Sequence, residues 1–271
     1  MIKLSKVGVV LLLTVSAAAA GAPWIATYDP GEIDPLIRLQ GSSARHWMGT
    51  DSLGRDVLSR TLWGGRASMI VGGSVAVLAT ALGALAGLAA GFVRNVDGWI
   101  MRAMDGLMAI PGVLLAIALT AFMRPSLAAV IIAITVPEVP KVARLVRSMA
   151  LQLREMPFVT AAHAIGAPLP TIVLRHVLPH MAGPLLVQGT FIAAWAVLVE
   201  ATLSFLGVGL PAQMPSWGGM MAEGRSVLSV APHIVLWPGL LVAATVFAIN
   251  LLGDGLRDAL DPHLPRGSAH R

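Results

Sequence analysis

The feature that most constrains this chain is a series of apolar segments long enough to cross a lipid bilayer. The clearest, residues 68–92, has no charged side chain over 25 residues, and a hydrocarbon core about 30 Å thick needs roughly 20 apolar residues in a helix. Further apolar segments cover residues 7–26, 107–123, 126–136, 181–206 and 234–252. Only 12% of the residues are charged, against roughly 25% in soluble domains. The sequence therefore predicts an all-α polytopic membrane protein with about six transmembrane helices.

The first segment admits two interpretations. Residues 17–20 are all alanine and resemble the small-residue cleavage site of a signal peptide. The segment is long for a signal peptide, however, and more apolar segments follow it. We therefore favour an uncleaved first transmembrane helix, preceded by Lys3 and Lys6. A polar stretch over residues 28–66 then predicts an extramembrane loop with short helices.

Two segments carry signals of helix packing. Gly83, Gly87 and Gly91 recur every four residues and so share one helix face, where another helix backbone can approach closely. The segment at 126–136 is too short to span a membrane alone, so we expect it to continue through Pro137 and Pro140. Because each proline frees a backbone carbonyl, this part of the helix should face protein or water rather than lipid.

The distribution of basic residues predicts the orientation. With six spans both termini lie on one side, together with twelve of the 19 lysines and arginines, among them Lys141, Arg144 and Arg147. Loops rich in lysine and arginine stay in the cytoplasm. We therefore expect a multi-pass protein of the inner (plasma) membrane with both termini cytoplasmic.

The longest predicted inner loop contains a short helix. Pro157 suits the first position of a helix and Gly166 suits the residue just after its end, so about nine residues lie between a start and a stop signal. A second short helix is predicted from Pro170 to His176, ended by Leu178 and Pro179. The first helix is slim because of its alanines, Ala161, Ala162 and Ala164. The pattern alone leaves open whether this helix docks in a groove of a partner protein or lies on the lipid surface.

A family resemblance favours the partner protein. The spacing of Ala161, Ala162, Gly166, Leu178 and Pro179 resembles the cytoplasmic loop of binding-protein-dependent ABC permeases. The chain also resembles the C-type subunit of the dipeptide, oligopeptide and nickel permeases at residues 49–60, 104–111, 203–209, 215–218 and 250–262. In that family the loop forms a coupling helix that sits on the ATPase subunit. Thr160 stands where the family usually has glutamate, so an ion pair made by that carboxylate is not expected here.

The resemblance implies a type I ABC importer permease fold and an assembly around it. The expected partners are a second, different permease subunit, two ABC ATPase subunits and an extracytoplasmic substrate-binding protein. ATP and magnesium would be bound by the ATPases, with no cofactor on this chain. The coupling loop would span residues 150–180, with Thr160, Ala161, Ala162, His163, Gly166, His176, Leu178 and Pro179 as its coupling residues. Around it we expect a first helix and extracytoplasmic loop at 1–67, a permease core at 68–256 and a cytoplasmic tail at 257–271.

Ionisable side chains within the apolar segments are candidates for the transport path. Glu200 is either a path residue or a structural hydrogen-bonding group near the end of its span. For Glu138 we expect an ion pair with Lys141 or Arg144, and for Asp105 an ion pair at a helix end. Asp51, Arg55 and Asp56 are expected to brace the first extramembrane loop.

Other function classes find little support in the sequence. The absence of cysteine excludes thiol catalysis and thiolate metal sites, and no motif of a membrane-embedded enzyme occurs, so no catalytic or metal site is expected. An ion-gradient-driven secondary transporter or a channel is the alternative, but such transporters show repeated halves and buried carboxylates. We therefore expect a permease subunit of an ATP-driven importer for peptides or similar small solutes, with the substrate itself unspecified.

Overall fold

The computed structural model describes residues 2–260, with side chains from Lys6 onward, and the chain is mostly helical over that range. Its helices are α1 (Ile2–Ala20), α2 (Ala22–Ile25), α3 (Val57–Phe92), α4 (Arg94–Met108), α5 (Gly112–Phe122), α6 (Leu127–Arg154), α7 (Pro157–Ala164), α8 (Leu169–Ile172), α9 (Leu178–Phe205), α10 (Trp217–Gly224) and α11 (His233–Leu260). Among the described residues there is no β-sheet. The all-α prediction is confirmed, and the predicted tail beyond residue 260 lies outside the described part.

Three helices of the described chain are long and apolar enough to cross a membrane. They are α3, the continuous helical stretch Leu169–Phe205 that ends in α9, and α11. A fourth is formed if α4 and α5, which are bent by 88° at Pro111, count as one span. Helix α1 is apolar but shorter, and α6 contains too many charged residues to qualify by composition. Each of the six predicted segments contains a helix, and the number that cross the membrane stays a prediction.

Helix α6 corrects one sequence-based expectation. It continues through Pro137 and Pro140 as expected, and both prolines are buried within the protein. The helix then continues to Arg154, so it includes Lys141, Arg144 and Arg147 and also the first residues of the loop expected at 150–180. Two prolines spaced three apart remove neighbouring backbone hydrogen bonds from one helix face, and packing around that face stabilises the helix.

The three glycines spaced four apart in α3 pack against α6. A Cβ atom at Gly83 would contact Val142, one at Gly87 would lie 2.6 Å from the Cβ of Val146, and one at Gly91 would contact Ala150. The backbones of α3 and α6 are therefore closer than side chains on α3 would permit. The Nη1 of Arg154 also donates to the carbonyl of Gly91, at 3.2 Å, where the two helices end together. This helix pair forms the largest part of the packed core.

A second correction concerns the segment after α7. Leu178 and Pro179 do not end a short helix, because α8 passes through a π-helical turn (Val173–Val177) directly into α9. In this wider turn the N–H of Leu178 donates a hydrogen bond to the carbonyl of Val173. A π turn of this kind accommodates a proline that lacks an N–H to donate to the preceding turn.

Two helices were not predicted from the sequence. Helix α4 is strongly amphipathic, and it is held to α6 by ion pairs from Asp97 to Arg147 and from Asp105 to Arg144, each at 2.6 Å. The third apolar segment begins as helix α5 only after Pro111, so Asp105 belongs to α4 rather than to that span. The other is α10, which begins after Ser216; the hydroxyl of Ser216 accepts from the N–H of Gly219.

Candidate functional site

The predicted coupling helix is present as α7. Pro157 is its first residue, and Gly166 follows its end with a φ of +78°, in the left-handed region that favours glycine. The N–H of Gly166 donates to the carbonyl of His163, at 2.9 Å, and the N–H of Ala167 donates to that of Ala162, at 3.1 Å. This pair of bonds is the Schellman arrangement, which satisfies carbonyls at the end of a helix. The two signals read from the sequence therefore determine where α7 begins and ends.

Helix α7 has one buried and one exposed face. Val159 and Ala162 are buried in the main core cluster, whereas Thr160, Ala161 and His163 are exposed. Beyond the helix, Ile165 is 85% exposed. Ala162, expected to keep the outer surface slim, faces the core instead. The exposed face is short and carries no acidic side chain, and the hydroxyl of Thr160 donates to the carbonyl of Met156 in its own helix.

The buried face connects α7 to the start of α9. Val159 and Ala162 belong to the same core cluster as Ile172 and Val177. The ring of Phe158 stacks on the ring of His180, with centroids 4.9 Å apart and planes inclined by 15°.

The remaining predicted coupling residues lie on the connection itself. His176 is in the π-helical turn, and Leu178 and Pro179 begin α9. A displacement of α7 would therefore be transmitted to α9 through packed side chains as well as through the backbone.

Glu200 is a buried structural group in this chain. Its side chain has no exposed surface. The hydroxyl of Ser68 donates to one carboxylate oxygen at 2.6 Å, and that of Ser204 donates to the other at 2.8 Å. The bond from Ser68 joins α9 to α3, whereas Ser204 lies one turn further along α9 itself. Of the two alternatives for Glu200, the geometry favours the structural hydrogen bond over a path-lining role.

At the end of α3 opposite α7, an ion-pair network closes the extramembrane loop. Arg55 and Arg60 both bind the carboxylate of Asp51, which is fully buried, and both also bind Glu223 of α10. The Nε of Arg55 is 2.7 Å from Asp51, and Nη1 of Arg60 is 2.7 Å from Glu223. Asp56 caps α3 by accepting from the N–H of Ser59, at 2.7 Å, and lies 2.9 Å from His46. We call Asp51, Arg55, Arg60 and Glu223 the loop network; the sequence indicated Asp51 and Arg55 but not Glu223.

A cleft between α6, α9 and α11 was missed by the sequence analysis. It has a volume of about 390 Å³. Its polar lining residues are Glu138, Lys141, Gln188 and Asn250, and Trp195 forms part of its apolar wall. Gln188 was the one available signal, since it interrupts an apolar segment, but its partners lie on other helices.

No group of three or more potential metal-ligating side chains comes together among the residues that the structure describes. The charged groups instead pair with one another. The Nζ of Lys141 lies 2.6 Å from the carboxylate of Glu138, as the sequence led us to expect. The Asp105 pair with Arg144 is likewise an ion pair at the end of α4.

The sequence matches a known protein family and several named relatives. Residues 79–266 match the family described as binding-protein-dependent transport system inner membrane component. A protein of Brucella suis named as a peptide transport system permease is 48% identical over 96% of this chain and 88% of its own length. The dipeptide transport system permease of Alkalihalophilus pseudofirmus is 42% identical over 97% and 86%, and the glutathione transport system permease of Pectobacterium atrosepticum is 41% identical over 95% and 86%.

The fold also matches solved structures. An inward-facing conformation of the MetNI methionine ABC transporter aligns with a TM-score of 0.59, at 23% identity, over 75% of this chain and 95% of that one. A second crystal form aligns with a TM-score of 0.56, at 19% identity, over 71% and 94%. At these identities the match concerns the fold, and it agrees with the type I importer permease fold expected from the sequence.

Proposed function

Because the chain belongs to the family of binding-protein-dependent transport system inner membrane components, we propose that helix α7 couples it to separate ATPase subunits. The chain is a multi-pass membrane permease subunit of an ABC importer and is not itself the catalytic subunit. Its ATPase partners, its orientation in the membrane and its solute are the parts of this function that we propose.

The observation that carries the proposal is the two-faced geometry of α7. Its buried residues Val159 and Ala162 belong to the core cluster that includes Val177 of the π-helical turn leading into α9. Phe158 stacks on His180 of α9, and the outer face of α7 is exposed. An exposed helix that is rigidly joined to a membrane span can pass a displacement from a partner into that span. Thr160 gives this contact no carboxylate, so docking depends on shape and on apolar side chains such as Ile165.

We further propose the full assembly. This chain would pair with a second, different permease subunit, and two ATPases would bind ATP and magnesium on the cytoplasmic side. A binding protein would deliver solute from the opposite side. Both termini and α7 would then be cytoplasmic. In this arrangement the permease pair is the bistable element whose equilibrium the ATPases shift.

The solute is proposed to be a peptide or a peptide-like compound. This rests on relatives that are named for peptide, dipeptide and glutathione transport.

Cross-linking from single cysteines tests the coupling role. Because the chain has no cysteine, Ala161→Cys and His163→Cys each introduce one unique thiol on the exposed face of α7. Both variants should cross-link to an ATPase subunit in the assembled importer. Val230→Cys is the control, since residue 230 is 70% exposed near α10, at the other end of the bundle. The proposal fails if residues 161 and 163 react only with lipid-soluble reagents and never with an ATPase.

A further inference from the structure

An ion pair in the middle of α6 opens into the cleft between α6, α9 and α11. Glu138 and Lys141 lie near the midpoint of this 28-residue helix, far from either end. The Glu138 side chain is 4% exposed, whereas that of Lys141 is 44% exposed. The carboxylate therefore lies behind the ammonium group and balances its charge, and the ammonium group faces the cleft.

The other polar groups of the cleft also have hydrogen-bonding capacity that a ligand could use. The side-chain amide of Gln188 makes no hydrogen bond to another described residue. The Nδ2 of Asn250 donates to the carbonyl of Val246 in its own helix, at 2.9 Å, which leaves its side-chain oxygen free to accept. Next to them, Nζ of Lys141 lies 5.6 Å from the ring centroid of Trp195. The cleft thus offers a cation, two amides and an aromatic surface.

Such a group of side chains does not suit a surface in contact with lipid. Ionisable side chains on membrane-embedded helices are costly in contact with lipid, so they usually face a cavity or a partner. A volume of about 390 Å³ falls in the range of sites for small ligands. The polar lining and the volume together favour a water-accessible surface over a lipid-facing one.

We propose that this cleft is a transit site that binds the carboxylate of a peptide-like solute during its passage. Lys141 receives the carboxylate, Gln188 and Asn250 bind the peptide amide, and Trp195 packs against the apolar part of the solute. The proposal rests on the transport function given above and adds a chemical preference to it. Glu138 keeps the empty site neutral, so binding stays weak enough for release.

The first experiment measures whether water reaches the cleft. Phe191→Cys places a unique thiol in the cleft wall, and Val77→Cys places one on an exposed face in the middle of α3, away from the cleft. In the assembled importer a charged methanethiosulfonate reagent should modify residue 191 at least about tenfold faster than residue 77. Equal or slower modification at residue 191 would overturn the proposal.

The second experiment tests the preference for a carboxylate without relying on transport. Millimolar Ala-Ala should slow the modification of Phe191→Cys more than its C-terminal amide does, by about tenfold in apparent affinity, as expected for one charge-assisted hydrogen bond. The double variant Glu138→Gln with Lys141→Met preserves net charge and should remove the difference between the two peptides. The Arg144→Met control, which changes a cation one turn further along α6, should preserve that difference.

The outcomes separate the two proposals. Equal protection by Ala-Ala and its amide in the otherwise unchanged chain, or an unchanged difference in the double variant, would overturn the transit site even if residues 161 and 163 cross-link to an ATPase. Conversely, failed cross-links with an intact preference for Ala-Ala would contradict the coupling role and leave the transit site supported.

Discussion

The loop network and helix α7 occupy opposite ends of the same helix bundle and are built on opposite principles. In the loop network, charged groups from the loop, from α3 and from α10 pair with one another, and Asp51 is fully buried. In α7 only two side chains of eight residues are buried, and the rest of the helix faces outward. The first arrangement fixes an end of the bundle, and the second leaves an end available to another protein. Disruption of the loop network should therefore cost far more stability than a change on the exposed surface around α7.

The largest effect is expected from breaking the loop network. Arg60→Met leaves the carboxylates of Asp51 and Glu223 with one cation in place of two. Removing one member of a buried ion pair typically costs about 3–5 kcal/mol, and the partial exposure of Glu223 favours the lower end of that range. Thermal unfolding of the purified subunit measures the loss. At the α7 end, Arg175→Met, which changes an exposed cation, should alter stability by less than about 0.5 kcal/mol. Equal losses at the two ends would contradict the contrast.

The next effect concerns the helix pair that joins the two ends. In Gly87→Ala the new methyl group would lie 2.5 Å from the carbonyl oxygen of Ala143 and force α3 away from α6. Overpacking of this kind costs about 1–3 kcal/mol. Gly73→Ala is a matched control in the same helix, because nothing lies within 4 Å of its new methyl group. It should stabilise the helix by up to about 1 kcal/mol. Thermal unfolding of both variants distinguishes packing from helix propensity, and a loss of stability in Gly73→Ala would contradict the packing account.

How far the sequence predicts these features depends on the range of the interactions. Signals within one segment were sufficient for α7, because Pro157 and Gly166 act on their own backbone, and for the glycine face of α3. They were not sufficient where the outcome depends on a distant partner. Glu223 is 163 positions from Arg60, and nothing in the local sequence joins them.

The same limit applies to the cleft. Gln188, Lys141 and Asn250 belong to three helices, and each has an ordinary explanation within its own segment. Only the packing of α6, α9 and α11 brings them to one surface. The path-lining role suggested for Glu200 drew on the correct principle, that charges in a membrane face a cavity or a partner. In this chain its partners are Ser68 and Ser204, and the cleft lies elsewhere on the same helix α9.

A substitution at the end of α7 should lower stability less than the changes above, but it should lower transport. Gly166→Ala places a side chain at a φ of +78°, which costs about 1–2 kcal/mol locally and favours unwinding of the last turn of α7. Gly207→Ala is the matched control at the far end of α9, with a φ of +80° and no neighbour within 4 Å. Both variants should lose similar stability, but only Gly166→Ala should lower the ATP-driven uptake of the reconstituted importer. Equal uptake by the two variants would contradict a coupling role for α7.

The smallest effect is expected from the ion pair between Asp97 and Arg147, which holds α4 against α6 through two contacts of 2.6 Å. Both side chains remain partly exposed, and pairs of this kind contribute about 0.5 kcal/mol. Asp97→Asn should therefore lower the unfolding free energy by about this amount at low salt, and by less in 1 M salt, where the screening length falls to about 3 Å. The loop network should respond differently, because its charges are buried and salt screens them weakly. The two ends of the bundle can thus be distinguished by salt alone: the destabilisation by Arg60→Met should persist in 1 M salt, whereas that by Asp97→Asn should nearly vanish.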